Sequence, residues 1–393
     1  MRMILKSKSK GKASLRFLLV ALLFYSFIIL SCAQDSIFFD ISHEPEPRSP
    51  LITGTPTNMV LVRNELFVGS RMSNKIFRFG GAGGSPEWSS IQQIGGSLGD
   101  LASDGQYLYA LVFPDGNPLS SSVIRRFNTA QNVWDEEYSM AAFSIQTIHG
   151  AGGRLFAGAM LRADRQNFAI LYLAPASSSL TVIKNNTFLL TGAVSAGGGT
   201  FLSTAGAGIF RYSGGSVETR PVSGTEDANI AGIIETERSV VAVSSNGTIY
   251  SLTTQGIFSS FSTRLTFTGA LSTWGSRENN WRPSLLLAGI RGRGTSRVNG
   301  YREIVLDMNG LATNIIRTPG DDSHSSVRHR ARYTASIGLH PVEAIMQLPD
   351  AARGGPLNYS AFLSDPDWEP PIFATTSRNG LWSYRNRSWN AEE

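Results

Sequence analysis

The chemically versatile side chains in this sequence are few. One cysteine, Cys32, and five histidines, His43, His149, His324, His329 and His340, are spread over 393 residues. His324 and His329 stand five apart in a segment that reads as a loop, not as a helix face that would hold a metal ion. His149 precedes Gly150 at the end of an apolar stretch, where a packed imidazole is expected. Asp100, beside Gly99 in a similar stretch, is an acid placed to line whatever such stretches enclose, and it is a candidate ligand-binding group. Arginine is the dominant cation, since beyond residue 32 the only lysines are Lys75 and Lys184. Arg162 and Arg165, then Arg291, Arg293 and Arg297, then Arg328, Arg330 and Arg332 fall in three irregular segments. Their planar forks suit carboxylates and phosphates. The chemistry on offer is recognition of an anionic partner more than acid–base or metal catalysis, and no cofactor is expected. Gly80–Gly84 and Gly197–Gly199 lack the helix, Lys or acidic partner of a phosphate cradle and read as turns.

The cysteine owes its interest to its setting. Arg2, Lys6, Lys8, Lys10, Lys12 and Arg16 precede Phe17–Leu30, an uninterrupted apolar run of 14 residues. That is the length of a signal-peptide core and short of the roughly 20 residues needed to cross a bilayer. Ile29-Leu30-Ser31-Cys32 follows, and it resembles the lipobox of bacterial lipoproteins: aliphatic at −3, small at −1, Cys at +1. The resemblance implies a diacylglyceryl thioether on Cys32, cleavage before it, and acylation of the new amino terminus by a fatty acid such as palmitate. Such a protein is held on a membrane of the bacterial envelope, inner or outer, facing periplasm or exterior. Ser31-Cys32-Ala33 also fits an ordinary signal peptidase cutting before Gln34. Either route leaves no unmodified thiol, which excludes disulfides, thiolate–metal sites and thiol catalysis. The net charge of +5 belongs to the leader: without its six bases, 29 basic residues face 30 acidic ones. The high pI therefore argues nothing for nucleic acid, which an exported chain would not meet. Residues 1–31 read as signal peptide, 32–56 as a lipidated, proline-containing tether, and 57–393 as the folded domain.

Positioning falls to a repeat. A short apolar element recurs at Leu66–Gly69, Leu108–Leu111, Leu155–Gly158, Phe201–Thr204, Val240–Val243, Leu286–Gly289 and Ile372–Thr375. Successive copies are 39 to 47 residues apart until the last, which is delayed to 86 by inserted sequence. Each copy is followed by an alternating strand: Lys75–Phe79, Val123–Phe127, Ala169–Leu173, Gly208–Tyr212, Gly247–Leu252, Tyr301–Leu306 and Gly380–Tyr384. Several then turn into a strand with an aromatic residue, as at Trp88, Trp134, Phe258 and Trp389. Upstream, Gly99, Gly192, Gly232 and Gly269 each stand two residues before an apolar one, as an innermost strand crowded by its neighbours requires. Four strands per unit at this period predict a seven-bladed β-propeller of four-stranded antiparallel blades. Ser388–Glu393 is the preferred outermost strand of the last blade, with Ser36–Ile41 as the alternative.

The pattern resembles the broad kelch, NHL and regulator-type propeller group, and Val123–Glu136 resembles the strand–turn–Trp half of a kelch repeat. No copy carries the kelch double glycine, and the quinoprotein-type Trp repeat is absent, so the resemblance implies architecture and no particular activity. Ser103-Asp104-Gly105 lacks the spacing and the Trp of a sialidase Asp-box and reads as a hairpin turn.

Antiparallel order sorts the loops. Connections between second and third strands share a face with the links between blades, and this face is expected to be basic, carrying the arginines named above. The other face is expected to bear an acidic aromatic lip at Asp365, Asp367, Trp368 and Glu369. The resulting expectation is a lipid-anchored binding or scaffold module for an envelope protein or anionic ligand. A hydrolase or lyase acting on envelope polysaccharide at the propeller axis is the alternative; it requires carboxylates converging there.

Overall fold

Residues that alternate apolar side chains on both faces of a strand cannot be satisfied by one sheet, because each face needs its own cover. The computed structural model shows how that cover is supplied. It describes residues 51–52, 55–63, 65–80, 88–91, 94–175, 177–236, 239–253, 256–275, 283–292, 299–315, 341–348, 372–376, 380–385 and 388–392. The described chain forms seven four-stranded sheets, each antiparallel and each built from strands consecutive in sequence. This is a seven-bladed β-propeller. The innermost strands are Val60–Val62, Ser97–Ser103, Phe143–Ala151, Leu190–Ala196, Ile230–Glu235, Thr266–Gly275 and Val342–Gln347. The repeated apolar elements are the second strands of blades 1 to 7, and their alternating followers are the third strands.

Every second strand is sandwiched between neighbouring blades. Val240–Ser244 and Ile372–Thr376 are buried along their whole length, whereas the outermost strand Val133–Tyr138 alternates exposed and half-buried up to its buried last residue, Tyr138. Side chains two apart go to the same neighbour. In blade 1, Leu66 and Val68 pack with Phe373 and Leu381 of blade 7, while Phe67 between them packs with Leu98 and Leu108 of blade 2. The same division produces one apolar cluster in each of the seven seams.

Near the axis the inner strands come too close for side chains. A Cβ on Gly232 of blade 5 would lie 2.4 Å from the carbonyl oxygen of Gly269 in blade 6. Six inner strands also carry a register shift near their entry, as between Leu98 and Asp100 or Ile230 and Gly232. Such bulges bend the strand and leave a residue unpaired.

The ring closes without exchanging a strand. Ser388–Ala391 pairs with Gly380–Arg385 as the outermost strand of blade 7, and the alternative segment Ser36–Ile41 lies outside the described residues. Residues ahead of Thr57 take part: Leu51 N donates to Glu392 O at 3.0 Å, and Ile52 is fully buried in the seam between blades 7 and 1. Trp88 Nε1 of blade 1 donates to Glu392 Oε2 at 2.8 Å, and Ser383 donates to the other oxygen. Phe373 of blade 7 meets Phe79 and Trp88 of blade 1 at ring-centre distances of 4.9 and 5.5 Å. Because this seam has no shared strand, Phe373→Ala is expected to cost about 3–5 kcal/mol. Chemical denaturation should show this as a lower midpoint; an unchanged midpoint would mean the seam is not held as described.

Candidate functional site

Antiparallel order holds in every blade, so the loops fall on two faces as expected. On the face of the second-to-third connections, Arg162 and Arg165 are exposed in the blade 3 loop. Arg162 Nε donates to Phe143 O at 3.1 Å. Arg291, at the end of a blade 6 strand, pairs with Glu343 of blade 7 at 3.0 Å. Cys32, Arg293, Arg297, Arg328, Arg330 and Arg332 lie outside the described residues, as do His43, His324, His329, His340 and the Asp365–Glu369 lip. The described part of this face is basic only locally. The link between blades 4 and 5 sets Glu218, Glu226 and Asp227 against Arg220.

Sequence reasoning missed the apolar members of this face. Met72, Leu119 and Phe188 are 75%, 42% and 50% exposed, in the loops of blades 1 and 2 and the link between blades 3 and 4. A loop position masks them in sequence, because one exposed apolar residue in a turn is unremarkable.

Asp100 is buried and serves the seam between blades 1 and 2. Its Oδ1 accepts from the amides of Asn58 and Leu101 at 2.8 and 2.9 Å, and Oδ2 accepts from Asn58 Nδ2 at 3.1 Å, with Arg71 3.7 Å away. Burial raises its pKa, and Arg71 and the two amides pull it back. The axis itself holds a depression of about 320 Å³ lined mainly by apolar and small residues, including Met59, Leu101, Ala193, Leu271 and Met346. The titratable side chains in that lining are His149 and Glu343, and Glu343 is paired with Arg291. Among the described residues, no three His, Cys, Asp or Glu side chains gather as a metal site.

His149 is held neutral. Its Nε2 is buried with no hydrogen-bond partner among the described residues, and burial pushes the imidazole down to about 4, against a small upward pull from the Leu190 backbone.

The opposite face carries a built cleft between blades 2 and 3. The first turn of blade 2 is shaped by Asp104, whose Oδ1 accepts from the amides of Gln106 and Tyr107, both at 2.8 Å. Its Oδ2 accepts from Tyr109 Oη at 2.9 Å. The Arg126 guanidinium lies 4.4 Å from the centre of the Tyr107 ring. It is fixed there by Asp135 at 2.9 and 3.1 Å and by Glu136 at 2.6 Å, and Tyr138 donates to Glu136. Gly153, Pro175 and Ser177 of blade 3 complete a cavity of about 80 Å³, room for one side chain. The hydrogen bonds that Arg126 donates to Asp135 lead in raising its pKa, while burial leads in raising those of Tyr109 and Tyr138. At neutral pH Arg126 therefore stays charged and Tyr109 and Tyr138 stay neutral. Nothing in the sequence marked the cleft, because its residues come from four strands and three turns.

No family model and no curated protein sequence matches the chain. Solved structures do resemble it. BBS1N, in a crystal structure with ARL6DN, aligns with a TM-score of 0.50 and 12% identity, over 86% of this chain and 93% of its own. The β-propeller domain of Cps50 (Swd1) from Myceliophteria thermophila gives 0.51 and 10%, over 85% and 98%. The likeness is one of fold. At such identity it extends to no side chain of the cleft or the loops.

The imidazole makes stability depend on pH. Unfolded, His149 takes up a proton near 6.5; folded, it resists until about 4. Between those values the unfolded chain binds more protons, so this residue's contribution, complete above about 6.5, is lost as pH falls toward 4. Thermal melts of His149→Gln are expected to fall less over that interval than those of the parent; parallel curves would exclude the residue as the source.

Proposed function

We propose that the chain is a lipid-tethered interaction module of the bacterial envelope, a rigid ring that holds a protein partner at the cleft between blades 2 and 3. The observation that carries this reading is the Tyr107–Arg126 stack, locked by Asp104, Asp135 and Glu136 before any partner arrives. Tyrosine and arginine supply much of the energy of protein interfaces, and a pre-ordered pocket spares the entropy of fixing them on binding. The fold supports a surface role, since seven individually packed seams make a stiff plate. One propeller of similar fold, BBS1N, was crystallised in complex with another protein. The tether rests on the lipobox-like Ile29–Cys32.

Two experiments test it. Crosslinking in native envelope followed by capture should recover a protein with the parent chain and at least tenfold less of it with Tyr107→Ala or Arg126→Lys, at near-parental melting temperature. Undiminished capture by both variants would remove the cleft from the reading. Separately, Cys32→Ala should lack the acyl mass at its amino terminus and lose the detergent-dependent membrane association of the parent; a parent chain without that mass would overturn the tether.

A further inference from the structure

The face opposite the cleft is exposed in a way the interaction reading does not use. Over blades 1 to 3 its loops carry Met72 and Leu119, and the link out of blade 3 carries Phe188, all substantially exposed. Of the five large apolar residues left substantially exposed among the described residues, these three share this face and neighbouring blades, while Val133 and Met308 lie apart on the other. Arg71 precedes Met72, and Arg162 and Arg165 are exposed on the blade 3 loop. Arg165 has no hydrogen-bond or ion-pair partner among the described residues. The neighbouring acids are occupied. Asp115 accepts from Ser120 and the Asn117 amide, and Asp164 from the Gln166 amide and Asn167 Nδ2, each inside its own loop.

The chain also enters the ring on this face. Arg71 N donates to Thr55 O at 3.0 Å, and Pro56 bridges to Ser70, directly beside Met72. Cys32 is 23 residues before Thr55, at most about 80 Å away at full stretch. A lipid on Cys32 would thus keep these loops at high effective concentration near a bilayer, where contacts too weak to bind alone become populated.

We infer that the blade 1–3 half of this face rests on a phospholipid bilayer, with Met72, Leu119 and Phe188 entering the interface and Arg162 and Arg165 meeting lipid phosphates. The inference rests on the tether of the proposed function. It leaves the Tyr107–Arg126 cleft pointing away from the membrane, open to a partner.

The test uses the acylated full-length product, whose Cys32 is blocked, so that an introduced cysteine is the single reactive thiol. Met72→Cys, Phe188→Cys and Met308→Cys, the last 81% exposed on the opposite face in the parent chain, each take an environment-sensitive fluorophore. The proteins are reconstituted in vesicles of phosphatidylcholine and phosphatidylglycerol containing brominated acyl chains. Quenching several-fold stronger at 72 and 188 than at 308, reduced by Arg162→Glu with Arg165→Glu, is the expected result. Equal quenching at all three sites, or strongest quenching at 308, would overturn the inference and leave the cleft reading intact. Protection of position 72 in native envelope but not in vesicles would assign the face to a protein and overturn it too. Lack of acyl mass on Cys32 would instead sink the tether, and this inference with it.

Discussion

The interaction on which this structure depends is the sharing of a strand's two faces between two neighbours. A second strand such as Leu66–Ser70 sends Leu66 and Val68 one way and Phe67 the other. No blade can bury both sets alone, so blades are stable only as members of a series, and the series must end by meeting its own beginning. Here that happens at Phe79, Trp88 and Phe373, supported by the Glu392 carboxylate. Many propellers lock the ring by lending a strand from one terminus to the opposite blade; this one relies on aromatic packing and a few hydrogen bonds. The closing seam is therefore ordinary in kind, one of seven alike.

Once apolar side chains are committed to the seams, polar groups near the axis have to be settled locally. Asp100 clamps Asn58, Thr147 donates to Leu190 O at 2.8 Å, and Gln347 exchanges hydrogen bonds with Gly275. These contacts stitch adjacent blades. His149 is an exception: its buried Nε2 has no such settlement among the described residues and is tolerated because the imidazole remains neutral. Chemistry is displaced outward, to loops and turns, where the two faces differ. One bears a locked cleft of Tyr and Arg. The other bears apolar tips with arginines, beside the point where the chain enters. A ring with unlike faces is suited to sit between a surface and a partner.

Much of the architecture was readable in the residues. The seven apolar elements from Leu66–Gly69 to Ile372–Thr375 all form second strands, and Gly232 and Gly269 stand where inner strands leave no room for a Cβ. These were visible because period-two alternation and close backbone approach are local requirements that each repeat must meet by itself. The cleft was not visible. Tyr107, Arg126 and Tyr138 are ordinary strand and turn residues until antiparallel pairing lays Arg126 opposite Glu136 and the turn at Asp104 folds Tyr107 over the guanidinium.

By itself, then, the sequence determined the blade count, the strand order and the sorting of loops between faces, since all follow from periodicity and antiparallel parity; it left two candidates for the closing strand, and the pairing of Ser388–Ala391 with Gly380–Arg385 chose between them. What tertiary structure alone decided was which side chains meet across a seam and which stay exposed. Asp100, a candidate for ligand binding by its place beside Gly99, is spent on Asn58, and Met72, Leu119 and Phe188 are left uncovered. The physical reason is that burial and pairing between blades depend on the rotation of one sheet against the next, which no single repeat encodes.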